Sequence, residues 1–178
     1  FFPIEVVRHP DYECDDVIGF LAKDKHCEDD CVVVSTDTDF IQILNTTQNA
    51  QIYNPIKKSF VERPNFDYVQ WKALRGDSCD NISGFRGIGD KRATALIESS
   101  EKLEEFLGAK PGRKEKFEHN VFMIRFHDMS SVEHEFEKSG SSSNWNALKD
   151  TFEKMEFKSI INDKSWDKFK NTFSKLEC

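Results

Sequence analysis

Four consecutive apolar residues, Cys31-Val32-Val33-Val34, run directly into Ser35-Thr36-Asp37-Thr38-Asp39-Phe40. A short unbroken apolar run reads as a strand covered on both faces, the pattern of parallel sheets. In open α/β sheets, ligands bind beyond the carboxyl ends of such strands. Asp37 and Asp39 fall at that end. The stretch therefore points to an α/β fold with a polar site at a strand terminus.

Two further acid clusters flank this one. Glu13, Asp15 and Asp16 stand in Tyr12-Glu13-Cys14-Asp15-Asp16, and Asp77 and Asp80 in Arg75-Gly76-Asp77-Ser78-Cys79-Asp80-Asn81. Each has a plain structural reading. Acids in a first helical turn suit the helix dipole, Asp-X-Asp is common in loops, and Gly-Asp-X-X-Asp-Asn suits a capped turn. Together they read differently. Converging carboxylates repel and raise one another's pKa values unless a cation joins them. Mg2+ is hard and takes oxygen ligands. Two such ions about 3.5–4 Å apart activate a water and stabilise the leaving oxygen of a phosphodiester.

The third cluster leads into Gly84-Phe85-Arg86-Gly87-Ile88-Gly89-Asp90-Lys91-Arg92. Gly-X-Gly ahead of a helix lets backbone N–H groups approach a phosphate with no Cβ in the way. A tight turn is the alternative reading.

The remaining pattern surrounds these motifs. Residues 4–7 read as a strand already in progress. Val17, Ile18, Leu21 and Ala22 form a helical face, and Phe40, Ile43 and Leu44 open a short helix. Residues 51–54 and 59–62 read as a hairpin about Pro55-Ile56-Lys57-Lys58. Phe66 to Leu74 is an amphipathic helix with Val69, Ala73 and Leu74 inward, ended by Gly76. A helix passes through Ala93, Leu96 and Ile97. A basic loop, residues 109–116, and a helix near 114–126 come next, and Ser139–Asn144 reads as a flexible connection. Two amphipathic helices close the chain, one on Leu148, Phe152 and Met155, the other on Trp166, Phe169, Phe173 and Leu176.

Net charge is −7, which by itself argues against a nucleic-acid binder, but its distribution does not. The acidic excess sits with the acid clusters, and basic side chains outnumber acidic ones over residues 81–116, where a backbone-binding loop would lie. No apolar run nears the roughly 20 residues of a membrane helix, and no signal peptide opens the chain. The five cysteines lack a disulfide-framework spacing, so reduced thiols in a cytoplasm are expected. A zinc knuckle of His26, Cys27 and Cys31 lacks a second ligand pair.

At this point the motifs resemble a known family, the structure-specific 5′-nucleases, comprising flap endonucleases and 5′→3′ exonuclease domains of bacterial and phage replication. Glu13-Cys14-Asp15-Asp16-Val17-Ile18 resembles their Glu-Ala-Asp-Asp motif, and Ser35-Thr36-Asp37-Thr38-Asp39-Phe40 their strand-end Asp-X-Asp. Gly76 to Ile82 through Gly87 to Lys91 resembles their helix–three-turn–helix duplex clamp. The tail, from Arg113-Lys114-Glu115-Lys116-Phe117 through Phe126-His127-Asp128, is most similar to the T-even phage ribonuclease H branch, which removes RNA primers. Cys14 stands where the family has Ala, and Cys79 where it has a small polar residue.

The resemblance implies an α/β, PIN-like parallel-sheet nuclease domain, of which residues 1–75 would be the second half. Residues 76–108 would be the duplex clamp and 109–178 a helical carboxyl-terminal region. It implies Glu13, Asp15, Asp16, Asp37, Asp39, Asp77 and Asp80 as metal ligands, with Asp15, Asp16, Asp37 and Asp39 catalytic. Arg86, Gly87, Gly89, Lys91 and Arg92 would grip DNA. Two Mg2+ ions, with Mn2+ as a substitute, would fill the complete site, and K+ would sit on hairpin carbonyls. The substrates implied are duplex or flap DNA and RNA–DNA hybrids, in a cytoplasm, with single-strand DNA-binding protein or a sliding clamp as partners.

The family's first half, with its further aspartates and helical arch, has no counterpart here. The expectation is a carboxyl-terminal half whose activity needs an amino-terminal nuclease half as partner. The alternative is a non-catalytic duplex DNA-binding module. A third reading is an orphan fragment that aggregates through exposed Phe1, Phe2, Ile4 and Val6.

Overall fold

The structure is a computed structural model that describes residues 2–132, 135–140 and 143–176. The chain divides into two compact units, Glu13–Ser131 and the pair of segments Phe1–Tyr12 and Val132–Cys178.

In the first unit, α1 (Cys14–Phe20) opens with Asp15 and Asp16 in its first turn, where negative charge meets the positive end of the helix dipole. It buries Val17 and Phe20 and passes into a π-helical stretch, Leu21–Lys25. Strand β2 (Cys31–Val34) follows, then α2 (Ile41–Thr46) and β3 (Ala50–Asn54). (β1, Glu5–Arg8, belongs to the other unit.) β2 and β3 run parallel with Val33 opposite Ile52, as a strand–helix–strand crossover requires. β4 (Ser59–Phe60) returns antiparallel, with Tyr53 opposite Phe60, so the expected hairpin forms. The strand order is β2-β3-β4.

One expectation changes here. The Cys31–Val34 run reads as a strand covered on both faces, yet Val32 and Val34 are 53% and 63% exposed. Only the face of Cys31 and Val33 packs, against Ala22, Ile43, Ala50 and Ile52. Among the described residues the face of Val32 and Val34 has no covering layer, so β2 is buried on one side only.

Helix α3 (Tyr68–Arg75) is capped by Asp67, whose carboxylate accepts from the Gln70 N–H at 2.9 Å, and ends at Gly76 with φ +86°. Its buried face carries Val69, Ala73 and Leu74 as expected, together with Lys72. A two-residue ladder, β5 (Gly76–Asp77) with β6 (Ile82–Ser83), follows. The helices α4 (Asp90–Ile97), α5 (Ser100–Gly108) and α6 (Arg113–Ile124) pack with α3 around Ala73, Leu74, Ala93, Leu107 and Phe117. The sequence reading had no separate helix over α5, although Ser99 caps it.

The second unit pairs β1 (Glu5–Arg8) antiparallel with β7 (Glu137–Gly140), the two crossed by an ion pair between Arg8 and Glu137. Ser139 and Gly140 are thus strand rather than part of a flexible connection, while residues 141 and 142 of that connection lie outside the described ones. Helices α7 (Trp145–Lys154), α8 (Lys158–Ile161) and α9 (Asp163–Phe173) complete the unit. Phe2, Phe152, Trp166, Phe169 and Phe173 share an aromatic cluster. Phe2 is therefore packed. Ile4 and Val6 are half exposed, and Phe1 lies outside the described residues. Met155 and Leu176, read as inward, are largely exposed because both fall past the ends of their helices. No described helix is long and apolar enough to cross a membrane.

Candidate metal centre

The site forms where α3 stops. Gly76 turns the chain out of the helix, and Gly84 lies directly against that turn. A Cβ on Gly84 would fall 2.0 Å from the Arg75 carbonyl oxygen, and one on Gly76 2.3 Å from the Gly84 nitrogen. Only glycine lets the two backbones meet so closely. Asn120, buried on α6, donates to the carbonyls of Ala73 and Ser83 at 2.9 and 3.0 Å. It ties the hairpin to two helices. Lys116 adds a bond to the Gly84 carbonyl at 2.8 Å.

This hairpin carries Asp77 and Asp80. Asp39 arrives from the loop after β2. Carboxylate oxygens of Asp39, Asp77 and Asp80 lie within 4.8 Å of one another, close enough to share one ion. Asp39 is held by buried Gln42, which donates to the Asp39 carbonyl and to that of Ile124, both at 3.1 Å, while its oxygen accepts from the Phe126 N–H.

Lys72 completes the arrangement. Its side chain is 3% exposed and its ammonium is bonded to both Asp39 and Asp77. Burial pulls the ammonium's pKa down, but the hydrogen bonds and charges of Asp39 and Asp77 outweigh it and hold the group above its ordinary value. Burial pushes Asp39 up, and Lys72 only partly reverses that. For Asp77, burial is outweighed by Lys72 and by the Cys79 N–H at 2.8 Å, which leave its carboxyl below the ordinary range.

The other acids read from the sequence are placed differently. Asp37 lines the same cleft, but its carboxylate accepts from the Asp39 N–H at 2.9 Å, an Asx-type turn. Asp16 is buried and accepts from the His127 N–H at 2.7 Å. Asp15 accepts a weak bond from the Cys14 thiol, and Glu13 is exposed at the start of α1. Among the described residues, Glu13, Asp15, Asp16 and Asp37 are not in the converging set.

The predicted clamp is open to solvent. Gly87 has φ +79°, and nothing lies within 4 Å of a Cβ built on Gly87 or Gly89. Arg86, Lys91 and Arg92 are exposed around it. Buried Ile88 anchors the loop, and its N–H donates to Phe85 at 3.0 Å. Arg75 pairs with Asp90 at 2.6 Å.

The sequence reading missed Lys72, Gln42 and Asn120. Lys72 did leave a signal. With Val69 and Ala73 it occupies the i, i+3, i+4 stripe that faces a core. A lysine there needs a carboxylate partner. Gln42, between Ile41 and Ile43, carries a fainter version.

Residues 1–72 match a protein family described as the 5′-3′ exonuclease, N-terminal resolvase-like domain. The 5′-3′ exonuclease of Halalkalibacterium halodurans is 37% identical over 109 residues, which are 55% of this chain and 36% of that protein. DNA polymerase I of Caldicellulosiruptor bescii is 33% identical over 119 residues, 58% of this chain and 14% of that one. The flap endonuclease Xni of Pseudoalteromonas translucida is 31% identical over 105 residues, 53% and 40% respectively. This chain thus spans well under half the length of these relatives. Among solved structures, T5 5′-exonuclease with bound zinc ions aligns with a TM-score of 0.51 at 24% identity, over 63% of this chain and 49% of that one, a likeness of fold. Through the domain matched by its first 72 residues and the α/β fold it shares with the T5 enzyme, the chain resembles the 5′-3′ exonuclease family.

Proposed function

We propose that the chain supplies the metal-binding and duplex-gripping part of a 5′→3′ exonuclease or flap endonuclease that hydrolyses phosphodiesters near 5′ ends. The observation that carries this reading is the meeting of Asp39, Asp77 and Asp80 within reach of one ion. The fit to a divalent cation is chemical. Three carboxylates drawn from two separate segments form an all-oxygen donor set, which suits Mg2+, with Mn2+ as a substitute. Such an ion supplies Lewis acidity toward a phosphodiester and lowers the pKa of water.

Asp39, Asp77 and Asp80 would hold that ion. Asp37 lines the cleft close enough to add charge. The family resemblance also assigns Glu13, Asp15 and Asp16, with Asp15 and Asp16 in catalytic roles beside Asp37 and Asp39. Open backbone at Gly87 and Gly89 would meet a phosphate. Arg86, Lys91 and Arg92 would neutralise neighbouring phosphates without reading sequence, and K+ would rest on the loop carbonyls. The substrates on this reading are duplex or flap DNA and RNA–DNA primers, as in phage ribonuclease H, acting in a cytoplasm beside a single-strand DNA-binding protein or a sliding clamp.

The experiment is cleavage of a 5′-labelled flap substrate with Mg2+, by the chain alone and mixed with an amino-terminal nuclease half. Cleavage only in the mixture supports an enzyme that shares its site between two segments. A second reading, a duplex-binding module without cleavage, is favoured by the Lys72 ammonium already bonded to two of the three carboxylates. Salt-sensitive duplex binding with no cleavage in either arm would select it.

A further inference from the structure

Lys72 lies on the inward stripe of α3, and its side chain is 3% exposed. A buried ammonium is costly unless carboxylates meet it. Here they come from two directions, Asp39 from the loop after β2 and Asp77 from the hairpin after α3. These are two of the three carboxylates that converge, and Asp80 is the third. Two of the three carboxylates that a divalent ion would need are therefore already bonded to a cation built into the fold. Without that cation, Asp39, Asp77 and Asp80 would face each other with like charge.

Resting on the metal-site reading above, we propose that Lys72 is a resident counter-ion that holds Asp39 and Asp77 together in the metal-free chain and sets divalent affinity low by competing for their oxygens. With Lys72 the set of one ammonium and three carboxylates carries −2, and without it −3. Affinity of an oxygen site for a hard cation rises with ligand charge. A residue that merely braced the ligands would act in the opposite sense, since its loss would scatter them and weaken binding. The ammonium accounts for the close approach of Asp39 and Asp77. It further accounts for a lysine on a stripe otherwise occupied by Val69, Ala73 and Leu74. Lys72 on this view is a positioning residue that acts through Asp39 and Asp77.

The test is calorimetric titration of Mn2+ into the full 178-residue chain and its Lys72→Met, Lys72→Gln and Lys72→Arg variants, with melting temperatures taken with and without the ion. Lys72→Met and Lys72→Gln are expected to melt lower without metal. They should gain more from added Mn2+ than the parent and bind it at least about tenfold more tightly, equivalent to about 1.4 kcal/mol. Lys72→Arg keeps the charge and should remain as weak as the parent. Lys72→Gln keeps a polar side chain with N–H donors at this buried position, so it reports affinity even where Lys72→Met is too unstable to titrate. A parent that binds Mn2+ while both neutral variants bind it equally or more weakly overturns the counter-ion role and leaves the metal site standing. No Mn2+ binding by the parent or any variant overturns the metal-site reading itself, and the counter-ion role with it.

Discussion

The acids that open α1 and those that follow α3 look alike in the sequence, Glu-X-Asp-Asp against Gly-Asp-X-X-Asp, and are used differently by the fold. On α1, Asp16 is buried with its oxygen on the His127 N–H, and Asp15 sits in a first turn that favours negative charge. These acids have structural partners. After α3, Asp77 and Asp80 are gathered with Asp39 by a glycine-bound hairpin, and a buried lysine offsets the charge. The contrast separates acids met by backbone or by a helix terminus from acids that crowd one another. Asp16 is satisfied by a backbone N–H, whereas Asp39, Asp77 and Asp80 are crowded together with a buried ammonium bonded to two of them.

The sharpest way to break the comparison is to remove the close approach that builds the second cluster. Gly84→Ala would drive a Cβ to 2.0 Å from the Arg75 carbonyl and 2.6 Å from the Gly76 nitrogen. Backbone cannot yield there as a side chain can, so a loss of about 3 kcal/mol or more is expected in urea melts, together with loss of Mn2+ binding. Asn120→Ala comes next. It leaves the Ala73 and Ser83 carbonyls without their donor and should cost about 2 kcal/mol by the same measurement.

Two carboxamide variants then test the contrast directly. Asp39→Asn should weaken Mn2+ binding by about tenfold or more through the loss of one ligand charge, whereas Asp15→Asn should stay within about twofold. Equal losses would place the α1 acids in the same site and erase the distinction.

The smallest effect is on pH dependence without metal. Asp77 is held below its ordinary range, so its contribution to stability is present above that range and is lost as pH falls through the lowered folded value. Asp39 is held above its ordinary range, and its contribution runs the other way, present at low pH and lost as pH rises through the raised value. Melting temperatures between about pH 2 and 6 should therefore lose acid sensitivity in Asp77→Asn and gain it in Asp39→Asn.

Much of this could be read from the residues because it is local. The Asp67 cap, the apolar stripe and the terminating Gly76 mark α3 within ten residues, and α2, α4 and the hairpin about Pro55 carry comparable signals. The Gly-X-Gly loop and the acids at the strand end were equally visible. What escaped was governed by distant partners. The open face of β2 depends on what packs over the sheet, which no property of Val32 or Val34 reveals. The strand at Glu137–Gly140 exists because β1 pairs with it, and its residues have little strand preference of their own.

By itself, then, the sequence determined an α/β chain with carboxylates at a strand end and an open glycine loop, because periodicity, caps and turn residues act over a few positions. Tertiary structure alone decided which acids meet. Asp39 and Lys72 are 33 residues apart, Gln42 and Phe126 84, and Asp16 and the His127 N–H 111. Whether a carboxylate ends on a backbone N–H or beside two others depends on packing between elements, which local pattern does not encode. The same packing turned Lys72 from one of 25 basic side chains into the buried partner of the site.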